Sequence, residues 1–206
     1  MNDCSPACSP DDPRVKRTRV AVHEATLDLL AERGWQALSI DAVARRAEVA
    51  RTTIYRHWET KAQLVVDAFD AITAPPVFEP TGDTRTDLVA ILGNLAAELP
   101  KARWSSVMAE MVAAAEHDEE LANEKRVLGE SRQRPIVEVL ERAVSRGEID
   151  GTVDPKAVLA LLVGPLFYRR LMSGESIDSD LVSDVVDTVL KGLGHCCAGD
   201  EISERQ

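Results

Sequence analysis

Residues 34–69, GWQALSIDAVARRAEVARTTIYRHWETKAQLVVDAF, decide the fold of this chain. A first short segment begins after Ser39, an N-cap candidate, and places Ile40, Val43 and Ala44 on one apolar face. A tight turn follows, then a second short segment, and Thr60 supplies a fresh capping signal for a third. Two short helices joined by a tight turn, with another helix directly behind them, are typical of a helix-turn-helix motif.

The second short segment has an apolar underside and a polar outer surface. Ile54 and Trp58, four residues apart, are predicted to face inward. A helix that lies in the major groove of DNA needs this combination, although a short polar helix on any globular surface would show it too. The outer side chains are Arg51, Thr52, Thr53, Tyr55, Arg56 and His57.

Position within the segment suggests a role for each polar side chain. Arg51, Thr52 and Thr53 lie at the N-terminal end of the helix, which enters the groove most deeply. Arg51 can donate two hydrogen bonds to guanine, and Thr52 or Thr53 can contact a thymine methyl group or a phosphate. Phosphate contacts are expected from Tyr55, His57 and Lys61, of which Lys61 stands at the start of the next helix.

Charge is distributed unevenly along the chain. The 206 residues carry a formal net charge of −11. From Arg14 to Lys61, however, ten basic side chains accompany six acidic ones, a net charge of +4, and the remainder carries 14 basic and 29 acidic residues. A basic module beside an acidic body is expected when only one part of a protein contacts a polyanion, and the acidic body confines DNA to that module.

Composition and apolar runs limit the class of protein. Apolar residues make up 45% of the chain and charged residues 29%, as in an ordinary soluble protein. The N-terminus shows no basic and apolar leader, and the longest apolar run, residues 157–167, is too short to cross a bilayer. We therefore expect a cytoplasmic protein with no membrane partner.

No pattern in the chain is typical of catalysis or of a metal site. The cysteines, Cys4 with Cys8 and Cys196 with Cys197, lack zinc-site spacing and are expected to be reduced thiols near the ends. Residues 117–120, HDEE, are adjacent rather than spaced along one helix face, which favours a solvated helix start. Glycine-rich phosphate loops and nucleophile motifs are also missing. We expect no enzyme, no cofactor and no metal.

Apolar spacing predicts an all-α chain in two domains. Residues 1–13, which contain three prolines, are predicted to form a disordered tail. A DNA-binding domain is expected over residues 14–73, with a first helix from about Arg14 to Arg33 and Gly34 as its C-cap. Two prolines at positions 75 and 76 mark its end. A helical body over residues 83–195 is expected to bind an effector and to dimerise.

Three features organise the helices of the body. Pro135 either starts or kinks one of them. Asp154 and Pro155 are a cap and a first-turn proline, and they open an apolar helix to about Met172. The last helix is predicted from Asp178 or Ser179 to about residue 193.

The stretch VARTTIYRHWETKAQL, led by GWQALSIDAVARRAEV, resembles the DNA-binding domain of the tetracycline-repressor (TetR/AcrR) family of regulators over roughly residues 14–73. In the body, ERAVSRGEID and an apolar helix that ends in GPLFYRRL are similar to one of the family's C-terminal domain types. The resemblance implies an all-helical homodimer. Three N-terminal helices of each subunit would bind DNA, and about six would bind a ligand and the partner subunit.

The resemblance also implies roles for single residues. Ser39 matches a position that often caps the second helix and contacts a phosphate. In two places the chain departs from the family: Glu48 stands where the turn usually has glycine, and Ala50 where the next helix usually has a serine or threonine cap. We expect both departures to alter the specificity or affinity of DNA binding. Positions that usually contact DNA are matched by Thr53, Tyr55, His57 and Lys61.

The last two helices are too apolar for the surface of a monomer. In the final helix the apolar residues occupy more than one stripe, so it must bury two flanks. A four-helix bundle with the same two helices of a second copy is the simplest solution, and complete burial within one subunit is the alternative. The expected interface residues are Leu162, Leu166, Leu181, Val182, Val185 and Val189.

Methionine and aromatic side chains of the body are candidates for an effector pocket. Such side chains adapt to flat apolar ligands, although helical spacing of this kind is also what an ordinary core shows. The candidates are Trp104, Met108, Met111, Phe167, Tyr168 and Met172.

Two classes of function follow from these patterns. The first is a transcriptional repressor that binds a palindromic operator in double-stranded DNA and is released by a small, largely apolar effector. The second is a DNA-binding or helical-bundle protein whose body binds a protein partner and no small effector. A body cavity with a few convergent polar groups would favour the first, and a fully packed body the second.

Overall fold

The structure is a computed structural model that describes residues 13–73 and 78–193. Within these ranges it contains nine α-helices, one π-helical segment and no strand, which confirms the all-α prediction. The four cysteines lie outside the described residues, as does the predicted tail except for Pro13. The helices are α1 (Pro13–Ala37), α2 (Ile40–Arg46), α3 (Arg51–Tyr55), α4 (Lys61–Thr73), α5 (Thr84–Glu98), α6 (Ala102–Ala115), α7 (Glu119–Ser145), α8 (Pro155–Tyr168) with its π continuation (Arg169–Ser173), and α9 (Ser179–Leu193).

Side-chain caps start most of these helices. Backbone N–H groups donate to Ser39 at the start of α2, to Thr60 at the start of α4 and to Asp154 at the start of α8. Asp178 accepts in the same way at the start of α9. Because the first N–H groups of a helix have no partner inside it, each cap fixes where its helix begins. The predicted caps are confirmed at all four helices.

The first helical stretch ends where the sequence predicts. Gly34 has φ 72° and ψ 173°, values outside the helical region, and the chain resumes one more helical turn to Ala37. Gly34 therefore ends the first helical stretch, as predicted, and kinks the chain before the last turn of α1. A Cβ at this position would lie 2.9 Å from a carboxylate oxygen of Glu110, so a side chain here would force that carboxylate to shift.

The described part of the chain forms two compact units. Unit 1 holds residues 13–73 and 102–129, and unit 2 holds residues 78–101 and 130–193. Helix α6 and the beginning of α7 thus group with the N-terminal helices rather than with α5, α8 and α9. Their grouping follows from side-chain hydrogen bonds between α1 and these helices, which sequence spacing does not indicate.

Unit 1 is built around α1. Helices α2, α4 and α6 all pack against it, and α3 packs on α2. The core consists of fully buried aliphatic side chains from these helices, among them Leu27, Leu30, Val43, Ile54 and Val65. Burial of a side chain of this size stabilises a fold by about 1.5–3 kcal/mol, so these contacts fix the helix-turn-helix on α1.

Unit 2 contains α5, the larger part of α7, α8 and α9. Helix α5 packs against α8 and α9, with Leu88, Leu92 and Leu162 fully buried between them. Pro135 lies inside α7 and does not start a helix. Helix α8 with its π continuation ends at Ser173, close to the predicted end at about Met172. It widens into π geometry from Arg169, one turn after Pro165, whose missing N–H interrupts the helical ladder.

Candidate DNA-binding interface

The turn between α2 and α3 holds a non-glycine residue in the left-handed region. Among the described residues Glu48 is the only one besides glycine with positive φ, at 56°. This conformation costs an ordinary residue about 1–2 kcal/mol relative to the right-handed region. The turn therefore requires a left-handed backbone conformation, which glycine adopts without this cost. Ala50 caps α3 without a side-chain hydrogen bond, as its lack of a hydroxyl predicts.

Helix α3 is short and is anchored from below. Ile54 is fully buried and Trp58, in the turn that follows the helix, is 5% exposed, so both predicted inward positions are confirmed. The indole N–H of Trp58 donates to a carboxylate oxygen of Asp67 on α4, at 2.8 Å. The end of α3 is thereby tied to a second helix by a directed bond in addition to apolar contact.

Asp67 is the centre of this anchor, and sequence reasoning missed it. Arg19 of α1 donates to both of its carboxylate oxygens at 2.8 and 2.9 Å, and the His23 ring nitrogen Nε2 lies 3.0 Å from one of them. Burial acts to raise the pKa of Asp67, but the hydrogen bonds from His23, Trp58 and Arg19 outweigh it and hold the pKa well below its usual range. Asp67 is a carboxylate that joins α1, α4 and the end of α3.

One side of α3 carries Arg51 and Tyr55, which are both exposed. The Arg51 guanidinium forms an ion pair with Asp41 of α2 at 3.0 Å, donates to the Tyr55 hydroxyl at 3.2 Å and lies 5.3 Å from the centre of the Tyr55 ring. These contacts hold the guanidinium against the outer surface of the motif. Asp41 was not among the predicted site residues, and its pairing with Arg51 depends on how α2 and α3 meet.

Thr53 of α3 and His57 of the turn that follows it lie on the other side of the motif. Thr53 is half-buried, His57 is exposed, and both line a cleft against α1. Thr52 is exposed between the two sides. Ser39 is exposed as well, and its hydroxyl oxygen accepts from the Ala42 N–H at 3.2 Å. A hydroxyl that accepts a cap bond keeps its own proton for donation to a phosphate.

Lys61 is held more tightly than a solvent-facing lysine. Its ammonium donates to the carbonyl oxygen of Trp35 at 3.0 Å and lies 3.9 Å from the centre of the Trp35 ring. Burial lowers the pKa of Lys61, and the nearby carboxylate of Asp118 opposes that shift. An ammonium has three donors, so the Trp35 carbonyl leaves two of them for other acceptors.

Trp35 connects the DNA-binding helices to α6 and α7 within unit 1. Its backbone N–H donates to Glu110 of α6 at 2.7 Å, and its indole N–H donates to Asp118 at 3.0 Å. Asp118 also caps α7, where it accepts from the N–H of Leu121. The acidic run at residues 117–120 is thus a helix start, as predicted. No group of three or more metal-ligating side chains occurs among the described residues.

The six predicted pocket residues fall in different environments. In unit 1, Trp104 and Met111 are buried core side chains, Met108 is half-buried, and the Trp104 ring contacts Phe69 with ring centres 6.0 Å apart. In unit 2, Phe167 is half-buried. Tyr168 is 63% exposed and Met172 is 76% exposed. The last two side chains therefore lie on the protein surface, not in an enclosed cavity.

The predicted interface residues are partly core residues. Leu162, Leu166 and Val182 are buried within the protomer and have no surface left for a partner. Leu181, Val185 and Val189 are half-buried. Instead of Leu162 and Leu166, the exposed apolar side chains of α8 and its π continuation are Leu161, Tyr168, Leu171 and Met172.

Among the described residues, no helix has the length and apolar character needed to cross a membrane.

Two family models match the chain: "Bacterial regulatory proteins, tetR family" at residues 23–68, and "Tetracyclin repressor-like, C-terminal domain" at residues 78–189. The second match alone covers more than half of the chain.

Similar proteins cover most of the chain. A helix-turn-helix-type transcriptional regulator of Bacillus subtilis, YdeS, is 34% identical over 183 residues, 88% of this chain and 92% of the relative. A DNA-binding transcriptional repressor, TetR, of Mycobacteroides abscessus is 34% identical over 174 residues, 82% of this chain and 90% of the relative. The crystal structure of the TetR family transcription regulator SCO0332 is 31% identical, has a TM-score of 0.66 and aligns with 85% of this chain and 98% of that one.

The helix-turn-helix is anchored on α1 and α4, both family models match, and relatives of this identity align over most of their length. The chain therefore belongs to the TetR family of bacterial transcriptional regulators, and not to an enzyme family.

Proposed function

We propose that the protein is a transcriptional repressor that binds a palindromic operator as a homodimer and leaves it when a small, largely apolar molecule binds the body. The observation that carries the DNA-binding part is helix α3, with Ile54 and Trp58 buried beneath it and Arg51, Thr52 and Tyr55 exposed above. A helix with this division of side chains can enter the major groove without losing its packing.

Base contacts are assigned to Arg51 and Thr52. In the free protein, Asp41 and Tyr55 hold the Arg51 guanidinium. Guanine O6 and N7 offer two acceptors in place of the single carboxylate, so exchange of Asp41 for guanine keeps the charge hydrogen-bonded. A base that cannot accept two bonds offers no such exchange, which is how the pair would contribute specificity.

Phosphate contacts are assigned to the polar groups around α3. Ser39, Thr53, Tyr55 and His57 present hydroxyl or ring N–H donors at the surface of the motif. Lys61 has free donors, but its ammonium is turned toward Trp35. Lys61→Met separates the two roles: loss of a phosphate contact lowers the salt dependence of DNA binding, whereas loss of the Trp35 contact alone lowers stability and leaves the salt dependence unchanged.

Homodimerisation rests on the exposed apolar surface of unit 2. Leu161 and Tyr168 are seven residues apart on α8 and share one face, and Leu171 and Met172 follow in the π segment. Gly164 lies on the same face and nothing stands within 4 Å of the position its Cβ would take, so a second helix can approach closely there. We assign this surface, with Leu181, Val185 and Val189 of α9, to the second copy.

The effector site is assigned to the neighbourhood of Trp104, Met108 and Met111 on α6. Trp104 and Met111 are fully packed in the free protein, so a ligand here must displace neighbouring side chains. Helix α6 also holds Trp35 through Glu110. A ligand that binds only the arrangement with displaced side chains shifts the protein toward that arrangement. The resulting coupling free energy between ligand and DNA binding is typically about 1–3 kcal/mol.

The test of base recognition compares Arg51→Ala with a control variant, Arg33→Ala. Arg33 is an exposed residue near the C-terminal end of α1. Fluorescence anisotropy with the operator, with single-base variants and with random DNA gives the specificity of each protein. Arg51→Ala should lose about 1–3 kcal/mol of discrimination at one base pair per half-site while random-DNA binding changes little. Equal loss on all sequences would overturn the assignment.

The test of effector control is a screen of apolar compounds for operator release and for a shift in the unfolding temperature. Met108→Ala, which alters a half-buried side chain, should weaken the response to an active compound and leave operator binding by the free protein intact. If no compound releases the operator, the exposed Tyr168, Leu171 and Met172 surface favours the second function, a body that binds a protein partner.

A further inference from the structure

A cleft of about 130 Å³ opens on unit 1 between the first turns of α1 and the end of α3. Its base includes Val22 and Trp58, which are buried. The polar side chains that line it come from both helices and from the turn after α3: Arg14, Thr18, Arg19, Thr53, Arg56 and His57.

The lining of this cleft is cationic. Three of its side chains are arginines, and no aspartate or glutamate is among the lining residues. Arg19 is engaged by Asp67. Arg56 is exposed and reaches the cleft from the turn that follows α3.

The start of α1 is rich in positive charge. Arg14, Lys16, Arg17 and Arg19 fall within its first seven residues, all four are exposed, and the first turn has no acidic side chain. The N-terminal end of a helix favours negative charge, so cations placed there weaken the helix slightly. A compensating benefit is expected from an anionic partner.

Helix α3 divides its polar side chains between two surfaces. Arg51 and Tyr55 lie together on the side of Asp41, whereas Thr53 and His57 line the cleft. A helix in the major groove has one side toward the bases and its flanks toward the sugar-phosphate strands. The cleft therefore lies on a flank of the helix that contacts bases.

We propose that this cleft binds a phosphate of the DNA backbone, with Arg14 and Arg56 as its charged partners and Thr53 and His57 as donors beside them. The inference rests on the proposed DNA-binding function and adds α1 as a second DNA-binding element of each subunit. It also groups Thr53 and His57, which are already assigned to phosphates, in one site with these arginines. Lys16 and Arg17 extend the same cationic surface along α1.

The experiment measures DNA affinity against salt concentration for the full-length protein and for Arg14→Gln, Arg56→Gln and the double variant. Each phosphate contact that is lost reduces the slope of log K against log salt by about 0.9. The double variant should lose about one unit of slope per subunit, because the cleft holds one phosphate, and it should weaken operator and random DNA by the same factor and leave the preferred sequence unchanged. Arg56→Lys should retain the slope, because it keeps the charge.

Arg33→Gln is the matched control on the same helix, about 28 Å away at 1.5 Å per residue, and should leave the slope unchanged. An unfolding temperature equal to that of the wild type shows that the fold of each variant is intact. If wild-type protein binds DNA and the double variant keeps its slope, the cleft assignment is wrong and the proposed function stands. If wild-type protein binds no DNA, the proposed function itself fails.

A second arm titrates inorganic phosphate against the protein without DNA. Binding of millimolar phosphate that the double variant abolishes, together with an unchanged DNA slope in that variant, would identify a site for a free anion and overturn the DNA assignment. A reduced DNA slope with no effect of inorganic phosphate below about 10 mM supports it, because one isolated phosphate lacks the rest of the DNA interface.

Discussion

The DNA-binding helices of unit 1 and the last two helices of unit 2 differ in which of their large apolar side chains are buried. Around α3, Ile54 and Trp58 are buried, and Asp67 ties three helices through directed hydrogen bonds. Along α8 and its continuation, large apolar side chains are exposed at four of the twelve positions from Leu161 to Met172. An exposed apolar surface of this kind marks an interaction site. The first region is complete within one chain, whereas we propose that a second copy covers the other.

The largest expected effect breaks the second region. Leu161→Glu combined with Tyr168→Glu should produce a monomer, because it places two like charges in the apolar surface assigned to the partner. Operator affinity should fall at least ~100-fold, since the second half-site no longer binds intramolecularly. The unfolding free energy of the monomer should change little, as both side chains are exposed.

Sedimentation gives the oligomeric state of this double variant, and anisotropy gives its operator affinity. Lys156→Glu is the control: Lys156 is exposed on α8, about 140° around the helix from Leu161. It should leave the dimer intact. A wild-type monomer at micromolar concentration would refute the contrast between the two regions.

The next largest effect is expected from a substitution in the first region that leaves the second region unchanged. Asp67→Asn removes the charge that Arg19, His23 and Trp58 share, and should lower the unfolding free energy by about 1–3 kcal/mol. The dimer should persist, because α8 and α9 are unchanged. Chemical denaturation compares this variant with Asp184→Asn, which alters an exposed carboxylate on α9 and should have little effect.

Lower pH should erase the difference between wild type and Asp67→Asn. Folding lowers the pKa of Asp67, so its contribution is complete above the ordinary carboxyl pKa of about 4 and is lost as pH falls through the lower folded value. The gap in unfolding free energy should be constant from about pH 7 to 5 and then shrink. A gap that widens on acidification would contradict the assignment.

A smaller effect is expected at the kink of α1. Gly34→Ala should lower stability by about 1–2 kcal/mol, because φ is positive and the new Cβ would press on Glu110. Gly93→Ala is the matched change in α5, where no atom lies within 4 Å and φ is helical, and it should raise stability by up to about 1 kcal/mol. Thermal unfolding checks the opposite signs.

The smallest effects concern the turn before α3. Glu48→Gly relieves the left-handed conformation and Ala50→Ser supplies the missing cap, so each should add about 1 kcal/mol of stability. Operator affinity should rise with Glu48→Gly, which also removes a negative charge. Should both substitutions lower stability, the strain assigned to this turn would be absent.

Local features of the fold were predictable from sequence, because they depend on residues close in the chain. The caps Ser39, Thr60 and Asp154 and the inward positions Ile54 and Trp58 follow from short-range spacing. Apolar periodicity also separates α3 into a buried and an exposed side.

Contacts between distant residues were not predictable. Asp67 meets His23 across 44 positions and Trp35 meets Glu110 across 75, and periodicity indicates which side of a helix is buried but not which neighbour covers it. In α8 almost every residue is apolar, so the pattern could not distinguish the buried Leu162 from the exposed Leu161. The phase of such a helix is set by tertiary packing alone.

The central claim is that this protein binds a symmetric DNA sequence through α3, and selection of bound fragments from a random DNA pool tests it most directly. The account predicts enrichment of one sequence with two-fold symmetry, whose half-sites are centred about one helical turn apart, ~34–36 Å, or a multiple of it. Arg51→Ala should enrich a sequence that is relaxed at one position in each half-site. Recovery of no common sequence, or of an asymmetric one that Arg51→Ala leaves unchanged, would contradict the claim.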